Sequence, residues 1–434
     1  MHTLTRRSVL TGTLATSIAL ALAACSDDGG SGADTSASIA PDTKAELTLA
    51  YWDKSQTPTI DANIKSFNET YPNITVTTNL TAYADYWKKL RTQAEGRTLP
   101  DVMWMNGPNI QLYAGNDMLE PLDDVTAAGI AWSDYPTSLV DLYTYQGVHY
   151  AIPKDYDTIG VFYNKTLFAS AGAALPTEDW TWEDFHTAAR TISAWGKDQG
   201  IWGCATTVNG DGQGTYYNTI AQAGGYVIKD GRSGFDNPAS VKGLQCWADW
   251  IADGSVAPPA VVADTKPESM FTSGKSAMLW AGDWQCAPIA EAFAGRLEEV
   301  DVAPLPQGEK RGSIIHGLGW AVARTSGNKA AAKALAAHMA SRASQETEAR
   351  NGTAIPAFNG TQAPWLETYS SWSCRIFTEA ASTYAVTYPV SKNTSAWADH
   401  EGDYLTPAFA GQTTVTDAAS QLATFMNGEL AKEG

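Results

Sequence analysis

From Glu46 onward apolar positions alternate with polar or small ones. Leu47, Leu49 and Tyr51 interleave with Thr48, Ala50 and Trp52, the period-two signature of a β-strand. Ile60, Ile64, Phe67 and Tyr71 then recur at three- and four-residue spacing before Pro72, which predicts a helix ending there. Ile74-Thr75-Val76-Thr77 reads as a second strand, Tyr83 to Gly96 as a second helix, and Asp101-Val102-Met103-Trp104-Met105 as a third strand. Strands and helices that alternate in this way form βαβ units, so an α/β fold with a mostly parallel sheet is expected. Ligands of open α/β sheets sit beyond the carboxyl ends of the strands. That rule singles out Trp52-Asp53 after the first strand and Asn106-Gly107 after the third. Each pair sets a hydrogen-bonding group beside an aromatic ring or a closely approachable backbone, which is what a small polar ligand requires. The competing roles are packing between helix and sheet for Trp52 and helix capping for Asp53.

Ahead of this pattern the chain has a different character. Arg6-Arg7 precede an uncharged run from Ser8 to Ala24 that ends in Leu22-Ala23-Ala24-Cys25, the layout of an export signal. A transmembrane span needs about 20 predominantly apolar residues; this run is shorter and is interrupted by Thr11, Gly12, Thr13, Thr16 and Ser17. Residues 1–24 are therefore expected to be cleaved. Leu22-Ala23-Ala24-Cys25 resembles the lipobox of bacterial lipoproteins, which makes Cys25 the lipid-bearing anchor. Thr5-Arg6-Arg7-Ser8-Val9-Leu10 resembles a twin-arginine signal, with Val9 and Thr11 in place of the usual Phe and Lys. Residues 25–45 are poor in large apolar side chains and read as a flexible tether. The remaining stretch of about 390 residues suffices for two or three domains.

Charge narrows the partners. Losing Arg6 and Arg7 from the 29 basic side chains leaves 27 against 47 acidic ones, a net of −20. Such a chain is repelled by nucleic acid and other polyanions. Cys204, Cys246, Cys286 and Cys374 lack the close pairings of a zinc site, and leave open one or two disulfides or buried free thiols.

Glu46-Leu-Thr-Leu-Ala-Tyr-Trp, Phe67-Asn-Glu-Thr-Tyr-Pro-Asn-Ile-Thr-Val, Leu99-Pro-Asp-Val and Leu119-Glu-Pro-Leu, in this order, resemble segments of the family 1 extracellular solute-binding proteins, the maltose-binding-protein-like group. Tyr150-Ala-Ile-Pro-Lys-Asp-Tyr-Asp with Val161-Phe-Tyr-Asn-Lys is similar to that family's first crossover between lobes. Gly274-Lys-Ser-Ala-Met and Gly282-Asp-Trp resemble its second-lobe cleft segment, and Ala303-Pro-Leu-Pro with Gly317-Leu-Gly-Trp its return. The resemblance covers nearly the whole chain after the tether. It implies a two-lobed periplasmic-binding-protein fold, with residues 46–154 plus 304–355 in the first lobe and 155–303 plus 356–434 in the second. A ligand cleft lies between the lobes and closes on binding. The implied role is that of a monomeric receptor, exported and anchored to the outer face of the cytoplasmic membrane, that delivers a sugar to the permease subunits of an ABC importer without cofactor or catalysis.

A sugar presents a face of C–H bonds rimmed by hydroxyls, so rings cover the face while carboxylates, amides and backbone groups bind the rim. On the implied alignment the candidates are Trp52, Asp53, Asn106, Asp155, Tyr156, Asp157, Tyr217, Asp283, Trp284, His316 and Gly317. Trp284 is the leading stacking aromatic, because the family places one at this point. Trp280 and Trp320 sit inside apolar runs and are expected in the core. Trp372 or Trp397 would add a late platform, and Ser391 to Gly402 fits a cleft segment or a solvated loop equally. Two other readings compete. A secreted glycosidase would need two carboxylates about 5 to 10 Å apart, for which Asp155 and Asp283 are available. A receptor for an osmolyte or a glycerol phosphate ester would need cations in the cleft, for which Lys54 and Lys154 are the candidates. No nucleophile elbow, HExxH or phosphate-cradling glycine loop accompanies the first.

Overall fold

The computed structural model describes residues 37–433 apart from Asn209. The signal segment, Cys25 and the first part of the tether lie outside the described residues. The tether's expected end at residue 45 is corrected: Ala37 is buried in the core, Ile39 packs against it and Ala45 already belongs to the first strand. Two apolar side chains suffice there because they dock on a surface that the rest of the chain has already built.

The first sheet has the order Ile74–Leu80, Ala45–Tyr51, Val102–Asn106, Leu318–Val322, Ala151–Pro153. The first three strands are parallel, with Ala45 opposite Ile74 and Leu49 opposite Val102. Leu318–Val322 runs antiparallel to both its neighbours and places Trp320 against Trp104 and Ile152. Helices cover both faces. Leu47, Leu49, Val102 and Trp104 enter one core, whereas Ala50, Met103 and Met105 enter another with Tyr86 of the helix Tyr83–Glu95. Burial on both sides is why Val102–Asn106 reads as an unbroken apolar run rather than an alternating one.

The second sheet has the order Val300–Pro304, Ile159–Asn164, Ser276–Gly282, Trp202–Ala205. Ser276–Gly282 is parallel to Trp202–Ala205 and antiparallel to Ile159–Asn164. Trp280, 2% exposed, packs here against Trp247 and Phe185, and Trp320 is equally buried under the first sheet, as their apolar surroundings predict.

The chain leaves the first sheet at Pro153 and enters the second at Ile159. The expected return at residue 304 comes later: Ser313–Ile315 pairs with Ala385–Thr387, Ile314 packs in the second core, and the first sheet is regained only at Leu318. Ile355–Pro356 pairs with Asp155–Tyr156, and Asp157 bridges His316. Three passages between the sheets therefore run side by side, and buried apolar residues of both sheets, Trp104 and Trp320 with Phe162 and Leu279, belong to one continuous core. Lys154, in the first passage, is buried and ion-paired to Asp155 at 2.8 Å and to Glu348. Burial alone would depress its ammonium, but the two carboxylates outweigh that and hold its pKa above the ordinary value.

Candidate functional site

A cavity of about 1360 Å³ opens at the carboxyl ends of Ala45–Tyr51 and Val102–Asn106 on one side and of Ser276–Gly282 on the other. Trp52, Asp53, Asn106, Asp155, Tyr156, Asp157, Tyr217, Asp283, Trp284 and His316 all line it. Gly317 does not. A Cβ there would lie 2.2 Å from the carbonyl oxygen of Asp155, so this glycine serves the close approach of two crossing strands and not a ligand.

Several lining residues are held by partners of their own. Trp52 packs edge-on against Tyr86 and Trp104, with ring centroids 4.9 and 5.0 Å away, so the packing role foreseen for it is present at a position that also lines the cavity. Asp53 caps the turn Lys54–Gln56: its Oδ1 accepts from the Ser55 N–H and hydroxyl, both at 2.8 Å. The Asn106 Oδ1 accepts from Asn109 Nδ2 at 2.8 Å. Asp155 Oδ1 accepts the Leu318 N–H at 2.7 Å while Oδ2 takes Lys154. The Tyr217 hydroxyl is spent on Glu401, 2.6 Å away, so Tyr217 offers the cavity a ring rather than a donor.

His316 joins the two sides. Its Nε2 accepts the Gly107 N–H at 3.1 Å, which leaves the proton on Nδ1, 3.7 Å from Asp157 Oδ2. Gln213 Nε2 donates to the other Asp157 oxygen. Burial raises the Asp157 pKa, with His316 working against it. Asp283 accepts the Thr158 N–H at 3.1 Å and is pushed well above the usual carboxylate range, first by burial and then by neighbouring Asp157.

Trp284 differs from these. It is 39% exposed, and a Cβ on Gly282 would come within 1.9 Å of its ring. The indole is therefore folded back over bare glycine backbone where it lines the cavity. Neither Trp372 nor Trp397 lines the cavity. Trp372 stacks on Tyr369 and donates to the Leu297 carbonyl, and Trp397, fully buried, donates to Ser391 Oγ. The segment around them still contributes, through Ser395, Asp399, Glu401 and Asp403.

The sequence reading missed Tyr83 and Trp87, one helical turn apart in Tyr83–Glu95 and beside Trp52, as well as Asp211, Gln213, Tyr388 and Glu401. The first two follow the carboxyl end of Ile74–Leu80, so the rule that found Trp52 and Asn106 would have reached them. Glu401 is buried and accepts the hydroxyls of Tyr216 and Tyr217; burial pushes its pKa up to about 8 despite those bonds. Among the described residues, eight carboxylates line the cavity against a single arginine, Arg91, and no lysine. Lys54 and Lys154, the cations considered for a phosphate ligand, do not reach it.

A family profile described as bacterial extracellular solute-binding protein matches residues 53–346. The chain is 25% identical over 356 residues to a galactooligosaccharide-binding protein of Bacillus subtilis, an alignment that covers 79% of each chain. An ABC substrate-binding protein of Listeria monocytogenes, solved in complex with cycloalternan, superposes with a TM-score of 0.81 at 24% identity over 90% of this chain and 100% of that one. The GacH receptor of Streptomyces glaucescens, solved unliganded and with acarbose, gives 0.78 at 22% identity over 91% and 100%.

Proposed function

The chain belongs to the family of bacterial extracellular solute-binding proteins, and we propose that it captures a neutral oligosaccharide in the cavity between its two sheets and passes it unchanged to an ABC permease. One observation carries this reading: an exposed indole, Trp284, stands in a wall of hydrogen-bonding acceptors with almost no cations. An aromatic face suits the C–H side of a pyranose, and the carboxyl and amide groups of the wall bind its hydroxyls. Phosphate and carboxylate ligands are repelled by the same wall. The volume exceeds the roughly 300 to 1,000 Å³ of ordinary small-molecule pockets, which favours several sugar rings over one. The sugar-binding names of its relatives point the same way.

Calorimetric titration against neutral mono-, di- and oligosaccharides, a glycerol phosphate ester and a quaternary-amine osmolyte tests the reading. Binding confined to the oligosaccharides, which are recovered intact afterwards, is the expected result. Affinity for the phosphate ester alone, or cleavage of the sugar, ends it. The same titration followed by solution scattering should report a smaller radius of gyration at saturation, because the parallel passages allow one sheet to swing toward the other; an unchanged profile argues against closure.

Proteins of this family are exported, and we place this one on the outer face of the membrane through a lipid on Cys25. Cys25→Ala is expected to move the protein from the membrane fraction to the soluble one. A mature wild-type chain that carries no lipid by mass spectrometry removes the anchor.

A further inference from the structure

Two cysteines from distant parts of the chain meet behind the turn that carries Trp284. Cys286 opens the helix Cys286–Ala292 directly after Asp283–Gln285, and Cys374 caps the helix Arg375–Thr383. Both residues are 1% exposed, and their sulfurs lie 3.8 Å apart across 88 positions of sequence. A disulfide of about 2 Å needs the sulfurs to close by a little under 2 Å, within reach of small side-chain rotations. Cys246, by contrast, donates to the Gly243 carbonyl at 3.2 Å. The two elements are already tied without covalent help. Thr158 donates its N–H to Asp283 and its hydroxyl to the Phe377 carbonyl, at 3.1 and 3.0 Å.

We propose that Cys286 and Cys374 are joined as a disulfide in the exported protein, pinning the ligand-facing turn to the helix Arg375–Thr383. The inference rests on the protein's export into an oxidising compartment and not on the identity of its ligand. The bond forms by exchange with a protein disulfide donor. The two thiols give up two protons and two electrons, one sulfur–sulfur bond forms, and the donor leaves as a dithiol. Burial, with Cys374 alongside, keeps the Cys286 thiol well above its ordinary pKa, and a protonated thiol is a poor nucleophile.

The test uses protein recovered from the exporting cell, denatured in iodoacetamide without reductant and digested with trypsin. The peptides Ser276–Arg296 and Asn351–Arg375, which hold the two cysteines, are expected as one species two hydrogens lighter than their sum, with Cys204 and Cys246 alkylated. Four alkylated cysteines, or a link from either residue to Cys204 or Cys246, overturn the proposal. Thermal unfolding supplies an independent reading. Because the closed loop is long, Cys374→Ala should lower the midpoint by about 5 °C, and reductant should bring the wild type to that same value without moving the variant. A wild-type midpoint that ignores reductant contradicts the bond.

Discussion

Trp284→Ala is expected to weaken oligosaccharide binding by about 2 kcal/mol, roughly thirtyfold, with little change in the melting temperature of the unliganded protein. The ring is 39% exposed, so truncation removes a platform and leaves no buried cavity. Trp284→Phe should recover part of the loss. Gly282→Ala makes the sharper test. The backbone of Gly282, with φ −82°, accepts any residue, but the added methyl would occupy the space of the folded-back indole. It should therefore reproduce much of the Trp284→Ala deficit while the tryptophan is still present. Full affinity in Gly282→Ala, measured by calorimetry on a sample shown to be folded, would mean that the ring's position over the glycine is irrelevant to the ligand.

Trp284 also marks the boundary of what could be read from the chain. The first half of the fold was legible because its periods are unambiguous: alternation at Leu47, Leu49 and Tyr51, then helical spacing from Ile60 to Tyr71 closed by Pro72, matches the strand Ala45–Tyr51 and the helix Thr57–Thr70. Trp280 and Trp320 announced their burial through apolar neighbours. Trp284 and Trp397 could not be separated in the same way, since both stand among small and polar residues. What decides is distant or steric. Trp397 is fully enclosed by the helix Val415–Leu430 and its neighbours and bonded to Ser391, whereas bare backbone at Gly282 lets Trp284 turn outward. Glu401 was invisible for a related reason. Its partners, Tyr216 and Tyr217, lie 185 and 184 positions away, and no local pattern encodes such a pairing. Gly317 shows the opposite error: a glycine at a strand crossing was read as a ligand contact when the neighbouring strand had claimed the space.

Lys154→Met should destabilise the protein by about 3 to 5 kcal/mol near pH 8, the range for breaking a buried ion pair on one side. The substitution keeps the apolar stem against Trp104, over whose ring the ammonium sits at 4.9 Å, so the loss reports charge rather than volume. It leaves Asp155 and Glu348 buried together without their cation. In the wild type burial pushes the Glu348 pKa up to about 7, although Lys154 pulls it down. A carboxyl whose pKa is raised on folding binds more protons folded than unfolded, so its contribution to stability falls as pH rises from the unfolded value through the folded one, and levels off above. In the wild type that decline ends near pH 7. Without Lys154 the Glu348 pKa rises further and the decline extends to higher pH, so the deficit of Lys154→Met should be largest at pH 8 to 9 and shrink toward pH 5, where Glu348 is protonated. Adding Glu348→Gln should restore part of the loss at high pH. Denaturant unfolding of the wild type and the two variants at pH 5.5 and 8.5 resolves these outcomes, and a deficit equal at both pH values would assign the effect to packing. Because Asp155 reaches both the cavity and the Leu318 amide, the same substitution should also loosen the hinge between the sheets, read as a larger radius of gyration for the unliganded variant than for the wild type.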